Sequence, residues 1–184
     1  MVYFDKRGAD NTEETLRISK EAAEKRGIKY IVLASTSGNT GLQAAKLLQG
    51  TDINLIIVAH STGHREPGLQ QFDKELKKEC ESLGAVVFIG TDALTGFATA
   101  MRKKERFTDE TLIGDVLRMF GSGTKVGVEI VAMASDADLL PIEDVIAVAG
   151  SGRGSDTSLI IGANSTNQFF DIKIKEVLAK PREF

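Results

Sequence analysis

The chain has 184 residues, 42% of them hydrophobic and 27% charged, the balance of a soluble globular protein with one sizeable core. Its net charge of -3 leaves no basic excess to neutralise a nucleic-acid backbone, and neither a basic amphipathic segment nor a long apolar run suggests a membrane. A single cysteine, Cys80, excludes an internal disulfide; with no signal-peptide core at Met1–Arg7, the expected location is cytoplasmic.

In chain order, Asn11 and Glu14 stand at the N-cap and capping-box positions of a helix carrying Leu16, Ile18, Ala22 and Ala23, which Gly27 ends. Tyr30–Ala34 is a continuous apolar run, the pattern of a strand buried on both faces. A second helix is expected over Gly38–Leu48, a second buried strand over Asn54–Ala59, a third helix over Leu69–Leu83 and a third strand over Ala85–Ile89. Cys80 falls inside the third helix, where a buried structural thiol is the natural reading. Thr91 is expected to cap the helix that follows. Thr108 opens a helix to about Phe120, Gly121–Gly123 breaks it, and Lys125–Ala137 reads as a further helix on length. Val145–Ala149 and Ser158–Ile161 are apolar strands, and Asp171–Val177 alternates like a half-exposed edge strand. Alternating helices and strands with short links predict a parallel sheet between two helical layers, without a linker to divide residues 1–184. The expected fold class is therefore α/β.

In such a sheet the carboxyl ends of the strands face the ligand crevice. The first buried strand runs there into Ser35-Thr36-Ser37-Gly38-Asn39-Thr40 and then a helix, with Ser37 expected as its cap. Free N–H groups at a helix N-terminus, the positive end of its dipole, two glycines and four hydroxyls together suit a phosphate. A plain capped turn has the same backbone; the density of hydroxyls favours the phosphate. The loop lacks the lysine and spacing of a nucleoside-triphosphate-hydrolysing motif.

Gly150–Thr157 is a second glycine-rich loop at a carboxyl end, where Arg153 is the cation able to reach a phosphate bidentately. His60 and His64, the only histidines, share the loop after the second strand. Their spacing is not that of helical metal ligands and no cysteine cluster accompanies them, which argues against a zinc site. For His60 two readings stand open: ligand contact or acid/base work, and a loop imidazole bonded to a carbonyl. For His64 the second reading is favoured. Gly90, Thr91 and Asp92 follow the third strand; Asp92 suits a hydroxylated ligand or, more commonly, a helix start. Glu129, within an apolar stretch, is expected to be paired or to face water rather than to catalyse.

The segment Ile31–Thr40, followed by a helix and Asn54–Val58, resembles the C-terminal α/β domain of pyruvate kinases, in which strand, Ser/Thr-rich turn, helix and apolar strand follow in that order. Glu143–Gly150 is similar to that family's penultimate strand, and together these segments carry the likeness from about Arg17 to Val177. The likeness is to the stand-alone form of the domain, and it implies a three-layer sandwich with a mostly parallel five-stranded sheet and an additional antiparallel edge strand. It implies phosphate-binding roles for Ser35, Thr36, Ser37 and Thr40, and more loosely Arg153. It also implies flavin mononucleotide (FMN) as the cofactor, with its ring over the loops at His60 and Gly90. Pyruvate kinase chemistry belongs to a separate barrel domain, for which 184 residues leave no room, so that activity does not carry over. The expected function is a binding or sensing module for a phosphorylated small molecule. The alternative is an enzyme in the same crevice, with His60 or Asp156 as acid/base. An edge strand and apolar helices leave room for a homo-oligomer.

Overall fold

The computed structural model describes residues 1–184. One sheet of seven strands organises the chain: β1 (Val2–Lys6), β2 (Tyr30–Ala34), β3 (Asn54–His60), β4 (Val86–Gly90), β5 (Asp144–Ala149), β6 (Thr157–Gly162) and β7 (Lys173–Glu183), in the order β1-β7-β6-β5-β2-β3-β4. Six α-helices accompany it: α1 (Thr12–Arg26), α2 (Asn39–Leu48), α3 (Lys74–Ser82), α4 (Gly96–Arg102), α5 (Asp109–Arg118) and α6 (Ser122–Asp136). Two 3-10 turns lie at Ala9–Asn11 and Thr166–Asp171. No helix is long and apolar enough to cross a membrane.

The four apolar runs form the parallel block β5-β2-β3-β4, as their uninterrupted hydrophobicity predicts. Ile31, Leu33, Ile57 and Ile146 point to one face, against Leu16 and Ala23 of α1, Ala44 and Leu48 of α2 and Cys80 of α3. Val32, Ile56, Val58, Val145 and Ala147 point to the other, against Val128, Val131 and Met133 of α6. Each fully buried Ile, Leu or Val contributes about 1.5–3 kcal/mol of burial free energy, so the sandwich is held from both sides.

The sheet departs from expectation beyond β5. It has seven strands rather than five and an extra edge, and its antiparallel strand, β6, lies in the interior between β5 and β7. The link Gly150–Asp156 is the cause: it is shorter than the dozen or so residues that a parallel crossover requires, so the chain folds straight back. The expected edge strand is β7, which is paired on both sides, while β1 and β4 are the edges. β1 is recruited parallel to β7, and its apolar residues Val2, Tyr3 and Phe4 are not buried.

The caps also differ. Asn11 sits at the N-terminus of α1, but its side chain donates to Lys6 O, and Glu14 pairs with Arg17, so no capping box forms. The buried face of α1 is half hydroxyl: Thr12, Thr15 and Ser19 bond to the segment Ser155–Ser158 across the core. α3 begins only at Lys74, where Asp73 accepts from the N–H groups of Glu75 and Leu76. Thr91 caps nothing, because α4 starts at Gly96. Thr108 does cap α5, and α6 is the helix expected after the Gly121–Gly123 break. α6 lies against β6 so closely that a Cβ on Gly123 would come 2.1 Å from Thr157 Oγ1.

Candidate functional site

From β2 the chain moves outward to β3 and β4; from β5 it moves the opposite way to β6 and β7. The carboxyl ends of β2 and β5 therefore flank the point where strand order reverses, the usual ligand crevice of an open α/β sheet. A crevice of about 780 Å³ opens there, lined among others by Ser35, Thr36, Asn39, Thr40, His60 and Arg153. That is ample for a small organic ligand.

The loop after β2 is shaped by Gly38, which serves as N-cap of α2 at φ 101°, so the expected cap, Ser37, is displaced. A side chain at Gly38 would be strained in this left-handed conformation and would meet Phe72 and Leu76 at 2.9–3.0 Å. Ser37 is exposed, and its Oγ accepts from Asn39 Nδ2. Ser35 is buried, and its Oγ accepts from the Gly41 N–H at 3.2 Å. That bond satisfies one helix-end donor and leaves the N–H groups of Gly38, Asn39 and Thr40 with no acceptor in the protein. Three consecutive donors thus stand at the positive end of a ten-residue helix, in a crevice wall.

The other expected residues divide. Arg153 is exposed on the rim, free of ion pairs. Asp156 is buried and engaged: it accepts from the N–H groups of Gly8 and Ser151 and from the hydroxyls of Ser151 and Thr157, tying the β5–β6 loop to the N-terminal segment. Gly90 ends β4 opposite His60, and Thr91 beside it is exposed.

Asp92 does not start a helix, since α4 begins at Gly96, and it borders the crevice. Its side chain, 7% exposed, faces both histidines: His60 Nδ1 lies 3.0 and 3.2 Å from its oxygens and His64 Nδ1 3.4 Å away. The two imidazoles stack at 3.8 Å and 12°, so His64 is more than a loop residue. Burial works to raise the Asp92 pKa, but the hydrogen bond and charge of His60 outweigh it and hold the carboxyl below its usual value. Burial, then the neighbouring His60, lowers the pKa of His64.

Lys125 and Glu129, one turn apart on α6, form a buried ion pair with side chains 3% and 5% exposed. Glu129 Oε1 also accepts from Leu94 N at 2.8 Å, Thr95 N at 3.0 Å and Thr95 Oγ1 at 3.2 Å. Burial holds Lys125 below the ordinary lysine pKa, against the pull of Glu129. A second cavity of about 300 Å³ lies beyond this pair, lined by Arg102, Arg118, Lys125, His60 and His64. His60 and Glu129 border both spaces. The i,i+4 spacing of Lys125 and Glu129 was the sequence signal for the pair. Arg102 and Arg118 carried none. Nor did Gln71, whose buried Oε1 has no partner beside the larger crevice.

No family model matches the chain. Among solved structures, a pyruvate kinase from Cryptosporidium parvum aligns with 83% of this chain and 23% of its own, at 15% identity and a TM-score of 0.45. An O-ureido-L-serine synthase aligns with 68% and 48%, at 15% identity and a TM-score of 0.35. The chain spans less than half the length of either protein. At these values neither likeness carries an argument about this chain.

Proposed function

We propose that the protein binds a phosphate-bearing small molecule in the crevice between β2 and β5, with the phosphate on the N–H groups of Gly38, Asn39 and Thr40. The observation that carries this reading is that these three donors, at the N-terminus of α2, have no acceptor in the protein. The hydroxyls of Thr36, Ser37 and Thr40 add donors at the same end, and Arg153 stands on the rim.

FMN is the first ligand to try, and the turn Ser35–Thr40 supports grouping the chain with stand-alone domains like the pyruvate kinase C-terminal one. Its phosphate suits the donors, and its ring would lie toward His60 and Gly90. On this reading the protein is a binding or sensing module. The enzyme alternative rests on His60, whose Nδ1 faces Asp92 and whose ring borders the crevice.

Calorimetric titration with FMN, riboflavin and inorganic phosphate tests the cradle. Asn39→Asp is the diagnostic variant: it is nearly isosteric and exposed, and it favours the helix dipole while repelling an anion. FMN should bind wild type. Riboflavin and the variant should each cost at least one charge-assisted hydrogen bond, about 1.5–3 kcal/mol or roughly tenfold and more in affinity. Equal affinity of Asn39→Asp and wild type for every phosphorylated ligand would remove the phosphate from this loop. Visible absorbance of the purified protein gives an independent reading of bound flavin.

A further inference from the structure

We propose that His60, His64 and Asp92 form a binding site for one divalent transition-metal ion of the Zn2+ type. Linear spacing hides this site. The two histidines sit four apart in a loop rather than on a helix, and the carboxylate arrives from the end of the neighbouring strand, β4.

The three side chains bring their donor atoms together. His60 Nδ1 and His64 Nδ1 face one carboxylate, at 3.0 and 3.4 Å from its nearest oxygens, and all three ligand atoms fall within 4.8 Å of one another. Atoms so spaced can share an ion at about 2.0–2.2 Å, the usual Zn–N and Zn–O distances. The rings stack at 3.8 Å and 12° with both Nδ1 atoms toward Asp92, so one imidazole turns out of the stack for both lone pairs to meet a single ion. Asp92 is buried, and no backbone N–H or hydroxyl donates to its carboxylate, so these two imidazoles are its hydrogen-bonding partners. A buried carboxylate left to two imidazoles is electrostatically well placed for a cation.

The donor set selects the ion. Two imidazole nitrogens and one carboxylate suit Zn2+, Co2+ or Ni2+, whereas Ca2+ and Mg2+ prefer oxygen-rich shells. Of the cations nearby, Lys125 is neutralised by Glu129 and Arg118 is paired with Asp115, while Arg102 has no ion-pair partner. Three protein ligands leave a coordination position free, and both histidines border the cavity of about 300 Å³ with Thr95, Thr99, Ser122 and Arg102. An open position of this kind belongs to a site that presents an ion to a further ligand, and Arg102 favours an anionic one. This inference stands apart from the phosphate cradle and needs no phosphorylated ligand.

The experiment is titration of chelator-treated, full-length protein with Zn2+ by calorimetry, and with Co2+ by visible absorbance, in phosphate-free buffer. The chain has two histidines and one cysteine, and that cysteine is buried, so histidine-dependent binding maps to this cluster. Wild type should take up one ion per chain, and Co2+ should develop visible ligand-field bands. His64→Gln, an exposed substitution that leaves the core intact, should weaken binding at least about tenfold, the loss that even outer partners of metal ligands can cause. Asp92→Asn should do the same, and Cys80→Ala should bind as wild type does. Absence of stoichiometric uptake, or a folded His64→Gln that binds like wild type, would overturn the proposal. Neither result bears on FMN binding by wild type in metal-free buffer, so the two readings fail separately.

Discussion

Replacing Glu129 by alanine should be among the most damaging single changes at the candidate site. Its carboxylate neutralises Lys125 and accepts from the N–H groups of Leu94 and Thr95, in a setting where both charged side chains are at most 5% exposed. Breaking a buried pair by removing one partner costs about 3–5 kcal/mol. Two orphaned N–H groups push the expectation to the upper half of that range. For a chain of this size each kcal/mol moves Tm by about 2–4 °C, so the fall should be about 8–20 °C. The double variant Lys125→Met/Glu129→Gln keeps an acceptor for Leu94 and Thr95 and removes both charges. It should lose less than about 2 kcal/mol, since an uncharged replacement of similar volume is often neutral. Urea unfolding followed by circular dichroism measures all three proteins. If Glu129→Ala costs under about 1 kcal/mol, or the double variant is as unstable as the single one, the pair is solvated and the reasoning fails.

Two further outcomes are expected. Gly38→Ala places a side chain at φ 101° and 2.9 Å from Phe72, so it should cost about 2–4 kcal/mol and also weaken phosphorylated ligands by disturbing the donors of α2; unchanged stability and binding would refute the role assigned to that turn. Cys80 is fully buried, and burial, reinforced by Glu79, pushes its thiol up, which suppresses the reactive thiolate. A thiol-specific chromogenic disulfide should therefore label it at the rate of unfolding, and quickly only in denaturant; rapid labelling of folded protein would contradict the packing.

Period and composition determined a good deal of this protein. Uninterrupted runs such as Tyr30–Ala34 and Val145–Ala149, short and bounded by turn residues, read as strands covered on both sides, so the parallel block and its two helical layers were legible. The Ser/Thr/Gly turn was legible as a helix start at a carboxyl edge, because strand, turn and helix are contiguous in sequence. Local chemistry did not settle which residue caps: Gly38 takes the position from Ser37 because Phe72 and Leu76 pack against it from another element. Strand order was likewise a tertiary decision. β6 is interior because its link to β5 is too short for a crossover, and β1 is a strand only because β7 offers it an edge. The grouping of His60 and His64 with Asp92 joins two strand ends, and the position of Arg102 beside them depends on how α4 packs. Such contacts between residues far apart in the chain are fixed by strand pairing and helix docking, which no periodicity within a segment records.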